Sequence, residues 1–242
     1  MRVLLLLAVL VCGGATAADV NLAAASNLNQ VLPALIKNFA ARYPQYDISV
    51  SYGASGTLSQ QISRGAPYDI FLSASPKYVD YLARLGFVVK RHPFARGKLV
   101  LYYNQRFSPP PSGLRDLLRN EVTRVVIANP EYAPYGKAAV YCFKYYGIYE
   151  KIKNRLIFAS NVSQAAQMAA HGADAALIAL PLAQHRALAK SGNYLVLPGV
   201  CNTALLEEVA LINKTKPAQL FFNYLSSSEA AAILRSYGYE TP

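Results

Sequence analysis

Short apolar segments alternate with amphipathic ones along most of this chain. Apolar residues spaced three and four apart over residues 28–39 predict an amphipathic helix, and the alternating run at 48–52 predicts a strand. Further strands are predicted at 20–25 and 69–73, with a helix-like segment at 58–63 between them. The resulting order of strand, helix, strand, helix, strand is typical of a parallel α/β sheet.

The same pattern returns in the second half of the chain. A helix at 76–85 ends at Gly86, and the next strand is predicted at 98–103, so His92 is placed in a connection between two sets of elements. The later strands are predicted at 125–128, 156–159, 175–180, 195–197 and 209–212, and the later helices at 114–118, 138–145, 164–170, from Pro181, at 217–225 and at 228–237. One set therefore spans residues 19 to about 95, a second spans about 98–205, and a helical tail follows.

Four of the predicted strand-to-helix turns carry small or polar residues. They are Ser26-Asn27, Ser55-Gly56, Pro134-Tyr135-Gly136 and Asn161-Val162. Ligands of open α/β sheets bind beyond the carboxyl ends of the strands, where each helix start leaves backbone N–H groups without an intrahelical acceptor. These turns offer donors and no charge, which suits a fully deprotonated oxyanion, because a protonated anion also needs an acceptor.

Each turn also has an ordinary structural interpretation. Ser26 and Ser55 are residue types that commonly cap helices, Tyr135 is one of 18 tyrosines, and Val162 offers only its backbone N–H. The carboxylate nearest to the Ser55 turn is Asp69, whose ordinary role is to bind backbone groups in a turn. Four donor-rich turns in matching places favour an anion site more strongly than any single turn does.

The amino terminus has the features of a secretory signal peptide. Arg2 precedes an apolar run at 3–11, and the segment ends in an A-x-A motif at 15–17, so we expect cleavage near Ala17 and a periplasmic protein. The apolar run is too short for a permanent membrane span.

After removal of the signal peptide, two cysteines remain, Cys142 and Cys201. In an oxidising compartment they would be either a disulfide or two buried thiols.

Composition and motifs exclude several classes of protein. A chain of 242 residues with 53% hydrophobic and 15% charged residues is typical of a folded protein. The formal net charge of +11 raises nucleic acid or a membrane as partners, but the basic residues are scattered, so we expect no nucleic-acid binding. The chain has no G-x-S-x-G motif, P-loop, dinucleotide fingerprint or Cys/His zinc spacing, so we expect neither an enzyme nor a cofactor.

Five segments together resemble the periplasmic molybdate- or tungstate-binding proteins of ABC importers, a family of class II solute-binding proteins. The similar segments are Ala-Ala-Ala-Ser-Asn at 23–27, Ala-Ser-Gly-Thr-Leu at 54–58, Gly-Ala-Pro-Tyr-Asp-Ile-Phe-Leu-Ser-Ala at 65–74, Asn-Pro-Glu-Tyr-Ala-Pro-Tyr-Gly at 129–136 and Asn-Val at 161–162. The resemblance implies an α/β fold of two lobes with the ligand cleft between them. The expected organisation is a signal peptide at 1–17, lobe 1 from 18–95 plus 208–242, and lobe 2 from 96–207.

The resemblance also implies the ligand, its contacts and its partners. Molybdate or tungstate would be bound by hydroxyl and backbone donors of Ser26 and Ser55 in lobe 1 and by backbone N–H groups of Tyr135 and Val162 in lobe 2. Asn27 is similar to an amide that some members use beside the first serine. The implied partner is a membrane permease, and the protein itself is expected to be a monomer that opens and closes about crossing segments at 94–98 and 203–210.

One position departs from the family pattern, and two other functions stay open. Many members have a ligand-binding tyrosine where this chain has Ala179, so the number of hydrogen bonds to the ligand is not fixed by the resemblance. A binding protein for another anion, such as sulfate or a small carboxylate, would keep the lobes and change the ligand. An exported enzyme or adhesion module would use the same scaffold for a different purpose.

Overall fold

The computed structural model describes residues 18–241, so the predicted signal peptide at 1–17 lies outside the described part. Its strands are β1 (Val20–Ala25), β2 (Ile48–Gly53), β3 (Ile70–Ser73), β4 (Lys90–Arg96), β5 (Leu99–Asn104), β6 (Val125–Ala128), β7 (Leu156–Ala159), β8 (Ala175–Ala179), β9 (Gly192–Val196) and β10 (Leu206–Leu211). Its α-helices are α1 (Leu32–Arg42), α2 (Ser55–Ser63), α3 (Pro76–Arg84), α4 (Pro134–Tyr145), α5 (Tyr149–Ile152), α6 (Val162–Ala170), α7 (Leu180–Ala183), α8 (Arg186–Ala189), α9 (Lys216–Tyr224) and α10 (Ser228–Ser236).

The strands form two five-stranded sheets of the same design. The order is β2-β1-β3-β10-β4 in the first sheet and β7-β6-β8-β5-β9 in the second. Three strands of each sheet are parallel neighbours, and the fourth, β10 or β5, runs antiparallel to the strands on both of its sides. The predicted two-lobed α/β fold is confirmed. The antiparallel strand in each sheet is what brings the chain across from one lobe to the other.

The two passages of the chain between the sheets lie side by side. The first leads from β4 to β5 through Gly97, and the second leads back into β10 through Leu205. Gly97 donates a backbone hydrogen bond of 2.9 Å to the carbonyl oxygen of Leu205, so the two crossing segments are joined. Their location falls within the predicted crossing regions at 94–98 and 203–210. A residue that lies near this junction can therefore contact elements of both lobes.

Two sequence predictions about the elements were wrong in ways that matter for the site. His92 lies in β4, not in a connection, because this polar segment pairs along β10 from Lys90 to Arg96. The helices predicted at 138–145 and 164–170 begin earlier, at Pro134 and Val162. Apolar periodicity marks only the packed part of a helix, whereas the first turn is fixed by local capping.

A third difference concerns the first helix. The apolar spacing at 28–39 predicts one continuous helix, but the structure has a 3₁₀ turn at Ser26–Asn29 and an α-helix that starts at Leu32. Pro33 stands at the beginning of α1, where a missing N–H costs no intrahelical hydrogen bond. The short 3₁₀ turn directs the backbone of Ser26 and Asn27 toward the space between the lobes.

The tertiary structure decides whether the two cysteines form a disulfide or stay as buried thiols. Cys142 of α4 and Cys201 of the 3₁₀ turn Gly199–Asn202 form a disulfide, with their Cα atoms 5.0 Å apart. The bridge joins the helix that carries Tyr135 to the segment leading into the second crossing.

Within residues 18–241, no helix combines the length and the apolar character that a membrane crossing requires.

Candidate ligand-binding site

The four predicted turns meet at one small cavity between the lobes. All five residues expected at the site line it, namely Ser26, Asn27, Ser55, Tyr135 and Val162. Each of them is at most 3% exposed. The closed cavity has a volume of about 10 Å³, far below the roughly 300–1,000 Å³ of sites for drug-sized ligands. The space is therefore suited to a small ligand that both lobes enclose.

Ser55 lines the cavity with one of its hydroxyl lone pairs already occupied. It is the first residue of α2, and Ala54 occupies the N-cap, so its interpretation as an N-cap was wrong. Its Oγ accepts a hydrogen bond of 3.1 Å from the backbone N–H of Ala74. A hydroxyl has one proton and two lone pairs, and this contact uses a lone pair. The proton of Ser55 stays available for an anion.

Ser26 repeats this arrangement and involves the other lobe. It begins the 3₁₀ turn after Ala25, which holds the cap position, so Ser26 is not an N-cap either. Its Oγ accepts a hydrogen bond of 3.4 Å from the backbone N–H of Ser163 in α6. Both serine oxygens thus accept from backbone groups, which leaves both hydroxyl protons as donors.

Tyr135 and Val162 bring two helix N-termini to the opposite wall of the cavity. Val162 is the first residue of α6, whose cap is secured by a 2.9 Å hydrogen bond from the Gln164 N–H to Asn161 Oδ1. Pro134 begins α4 and has no N–H, so Tyr135 supplies the first backbone donor of that helix. N–H groups of a first helical turn have no intrahelical acceptor, and the helix dipole adds positive potential there.

Asn27 lines the cavity, but its side-chain amide is committed elsewhere. Its Nδ2 donates to Oε1 of Glu207 at 2.8 Å and to the hydroxyl of Tyr239 at 3.1 Å. The Tyr239 hydroxyl in turn donates to the backbone carbonyl of Asn27 at 2.9 Å. Both amide hydrogens of Asn27 are therefore used in holding the 3₁₀ turn, and neither is free for a ligand.

Glu207 is the residue of this region that the sequence analysis missed. The strand was predicted to start at Val209, whereas β10 begins at Leu206 and Glu207 is fully buried. Burial raises the pKa of Glu207 well above its usual value, and the hydrogen bond from Asn27 only partly offsets this. From Glu207 onward every residue of β10 is buried. The strand therefore lacks the alternation of buried and exposed positions from which an inward-facing carboxyl group could be predicted.

The Tyr135 side chain lies toward the crossing segments. A Cβ atom placed on Gly97 would overlap the Tyr135 hydroxyl oxygen and would lie 3.3 Å from Oε1 of Glu207. Burial raises the pKa of Tyr135 well above its usual value. Ala179, which stands where many relatives have a tyrosine, ends β8 and is not among the described residues that line the cavity.

Two further hydrogen bonds show that the lobes are in contact around the cavity. Gly56 at the start of α2 donates its backbone N–H to the carbonyl oxygen of Tyr132 in the other lobe, at 2.9 Å. Asn29 donates its side-chain amide to the hydroxyl of Ser163. The described structure is therefore a closed arrangement, in which the cavity wall is completed by residues from both lobes.

The chemistry of this wall is that of hydrogen-bond donation to oxygen atoms. Asp69, the carboxylate considered in the sequence, instead accepts from the Asn21 N–H at 2.8 Å and from the Asn213 amide at 3.1 Å. In the described part of the chain, no cluster of three or more His, Cys, Asp or Glu residues is arranged to hold a metal ion. The cavity can bind an anion through its oxygens without any carboxylate in the wall.

Comparison with known proteins places the chain in a family. Residues 20–240 match the family described as bacterial extracellular solute-binding protein. The chain is 30% identical to the molybdate-binding protein ModA of Azotobacter vinelandii, over 93% of this chain and 91% of the relative. It is 29% identical to ModA of Rhodobacter capsulatus, over 94% of this chain and 90% of the relative.

A solved structure has the same architecture. The periplasmic molybdate-binding protein of Azotobacter vinelandii superimposes with a TM-score of 0.83 and 28% sequence identity. The match covers 93% of this chain and 100% of the solved one, so both sheets and their connections are shared. Because the family match spans residues 20–240, this chain belongs to the bacterial extracellular solute-binding proteins.

Proposed function

We propose that this protein is the extracytoplasmic solute-binding component of an ABC importer and captures molybdate or tungstate between its lobes. The observation that supports the proposal most strongly is the convergence of Ser26, Ser55, Tyr135 and Val162 on one buried cavity. Two hydroxyls, each with one lone pair already occupied, and two helix N-termini form a wall of donors. Hydrogen bonds to an ionised acceptor contribute about 1.5–3 kcal/mol each.

Ligand binding and lobe closure are coupled in this proposal. Ser26 and Ser55 belong to one side of the cavity, and Tyr135 and Val162 belong to the other. A tetrahedral oxyanion that contacts both sides stabilises the closed form and has only half of its contacts in an open form. Binding therefore shifts the population toward closure by this difference in contact energy.

The remaining assignments follow the relatives and the amino terminus. We propose export to the periplasm after cleavage near Ala17, delivery of the oxyanion to a membrane permease, a monomeric state, and no enzymatic activity or cofactor. Lobe boundaries at 18–95 plus 208–242 and at 96–207 stay a prediction. The membership of β4 and β10 in one sheet and of β5 to β9 in the other supports them.

A thermal-shift screen tests the function. The protein is heated with molybdate, tungstate, sulfate or phosphate, and a specific ligand raises the melting temperature because it binds only the folded form. We expect molybdate and tungstate to raise it and phosphate to leave it unchanged, since hydrogen phosphate needs an acceptor that the wall lacks. A shift with sulfate alone would support the alternative of a sulfate-binding protein, and no shift with any anion would contradict oxyanion capture.

Substitution of Ser55 by alanine tests the site itself. The variant loses the hydroxyl donor and also leaves the Ala74 N–H without its acceptor, so we expect molybdate affinity to fall by at least about tenfold. Titration calorimetry measures the change. The matched control is Ser63→Ala on the same helix, because the Ser63 hydroxyl donates to the carbonyl of Gln60, accepts only a long 3.5 Å hydrogen bond from the Tyr81 hydroxyl, and does not line the cavity. Equal affinities of Ser55→Ala and the wild type would remove Ser55 from the site.

A further inference from the structure

Three buried polar atoms behind the cavity have no hydrogen-bond partner within the described residues. They are Oδ1 of Asn27, the hydroxyl of Tyr135 and Oε2 of Glu207. All three residues are at most 1% exposed. They form one cluster, because Glu207 bonds Asn27 directly and both Glu207 and Tyr135 lie against Gly97. Unpaired buried polar atoms are costly, so their concentration beside a ligand cavity needs an explanation.

The proton on Glu207 decides whether this cluster can be satisfied. With an ionised Glu207, the three atoms include two that can only accept, on Asn27 and Glu207, and a single donor, the Tyr135 hydroxyl. With a neutral Glu207, the Oε2–H group becomes a second donor, so the carboxyl proton can be accepted by the Tyr135 oxygen while the Tyr135 proton is accepted by Asn27 Oδ1.

The surrounding charges give an ionised Glu207 no compensation. Arg91 of β4 pairs with Glu208 and Asp80 at 2.6 Å each, and Lys98, in the connection that follows β4, pairs with Glu240 at 3.0 Å. Arg96 is exposed. Two other titratable groups face Glu207. They are Tyr135 of α4 and Tyr239 near the end of the chain, which accepts a hydrogen bond from Asn27, and burial raises the pKa of both phenols so that they stay neutral.

The ligand adds a second reason for neutrality. Glu207 is separated from the cavity wall by one side chain, that of Asn27. A dianion in the cavity and an ionised carboxylate behind it would repel each other in a region with little water, where screening is weak. A neutral Glu207 avoids this repulsion, and the bound dianion then meets only hydrogen-bond donors.

We propose that Glu207 is held as a neutral carboxylic acid in the closed protein and acts as a positioning residue for the oxyanion site through Asn27 and Tyr135. The proposal rests on the proposed function for its ligand. One proton moves from solvent to Glu207 when the lobes close over the oxyanion. The neutral acid accepts from Asn27 Nδ2 through Oε1 and donates from Oε2, which fixes the lobe-1 turn and the lobe-2 helix start relative to each other.

The sign of the pH dependence follows from this proton. Burial in the closed form raises the pKa of Glu207 well above its ordinary value, and water that reaches the carboxyl group in an open form would bring the pKa back toward that ordinary value. Closure then takes up a proton at any pH between the two pKa values. Affinity is highest below this window and falls by up to about tenfold per pH unit as the pH rises through it.

Calorimetry of molybdate binding in buffers of different ionisation enthalpy measures the proton directly. At pH 6–8 we expect the wild type to take up a proton, and Glu207→Gln to take up none while it still binds. The matched control is Glu208→Gln, whose neighbouring carboxyl is also buried but is paired with Arg91, and it should take up a proton as the wild type does. No proton uptake by the wild type, or equal uptake by Glu207→Gln, would overturn the proposal.

A second measurement separates this inference from the proposed function. The infrared difference spectrum of wild-type minus Glu207→Gln protein at pH 7, with both proteins saturated with molybdate, should contain the C=O band of a protonated carboxyl group. If no oxyanion binds either protein, the proposed function fails, whereas binding without the band overturns only the inference about Glu207. Absence of the band would overturn the inference even if molybdate binds tightly.

Discussion

Replacement of Gly56 by alanine is expected to lower oxyanion affinity by about 10- to 100-fold with little loss of stability in the ligand-free protein. A Cβ atom at this position would lie 2.8 Å from the carbonyl oxygen of Tyr132 and 3.0 Å from a ring carbon of Tyr78. The Tyr132 contact exists only when the lobes meet, so the clash opposes closure. Steric overpacking of this kind costs about 1–3 kcal/mol, which corresponds to the expected loss of affinity.

Calorimetry with molybdate and small-angle scattering together check this prediction. The scattering profile of Gly56→Ala should stay that of an open form at ligand concentrations that close the wild type. Gly113→Ala is the matched control, because a Cβ atom there meets nothing within 4 Å and the residue does not have a positive φ. Unchanged affinity for Gly56→Ala would mean that the Gly56–Tyr132 contact is not part of the ligand-bound state.

Removal of the Cys142–Cys201 disulfide is expected to have the largest effect on stability. The bridge closes a loop with a sequence separation of 59 residues, and chain entropy predicts that its loss costs about 4 kcal/mol of unfolding free energy. The double variant Cys142→Ala, Cys201→Ala should show this loss in urea denaturation. Because the bridge holds α4, which also carries Tyr135, the double variant should also bind the oxyanion less tightly.

Reducing agent provides the control for the disulfide. It should destabilise the wild type to about the level of the double variant and leave the double variant unchanged. A wild-type protein whose denaturation midpoint does not respond to reductant after unfolding and refolding would contradict a stabilising bridge. Thiol titration of the denatured, unreduced protein checks the bridge itself, since two reactive thiols would mean that it is absent.

Most of the element order was predictable because it depends on local patterns. Apolar spacing and turn residues identified nine of the strands, and β4 was missed because its sequence is polar and its strand conformation comes from pairing with β10. Helix starts were placed late at α4 and α6. Those starts depend on first-turn residues, such as Pro134 and Asn161, that carry little apolar signal.

The donors of the site were predictable as a set, but their roles were not. Small and hydroxyl residues after β1 and β2 marked the turns, and the structure brings all five expected residues to one cavity. The sequence interpreted Ser26 and Ser55 as either caps or ligand donors, and only the contacts with Ser163 and Ala74 show that their protons are free. The commitment of the Asn27 amide to Glu207 and Tyr239 was not predicted.

The sequence by itself determined the α/β class, the four donor-bearing turns and the absence of common catalytic motifs, because each of these is encoded by residues close together in the chain. The tertiary structure alone decided the disulfide, the direction of the Tyr135 hydroxyl toward Gly97 and the position of Glu207 behind Asn27. Asn27 and Glu207 are 180 residues apart in sequence. Their contact exists because β10 returns from the second lobe to the first sheet, and no local pattern encodes that return.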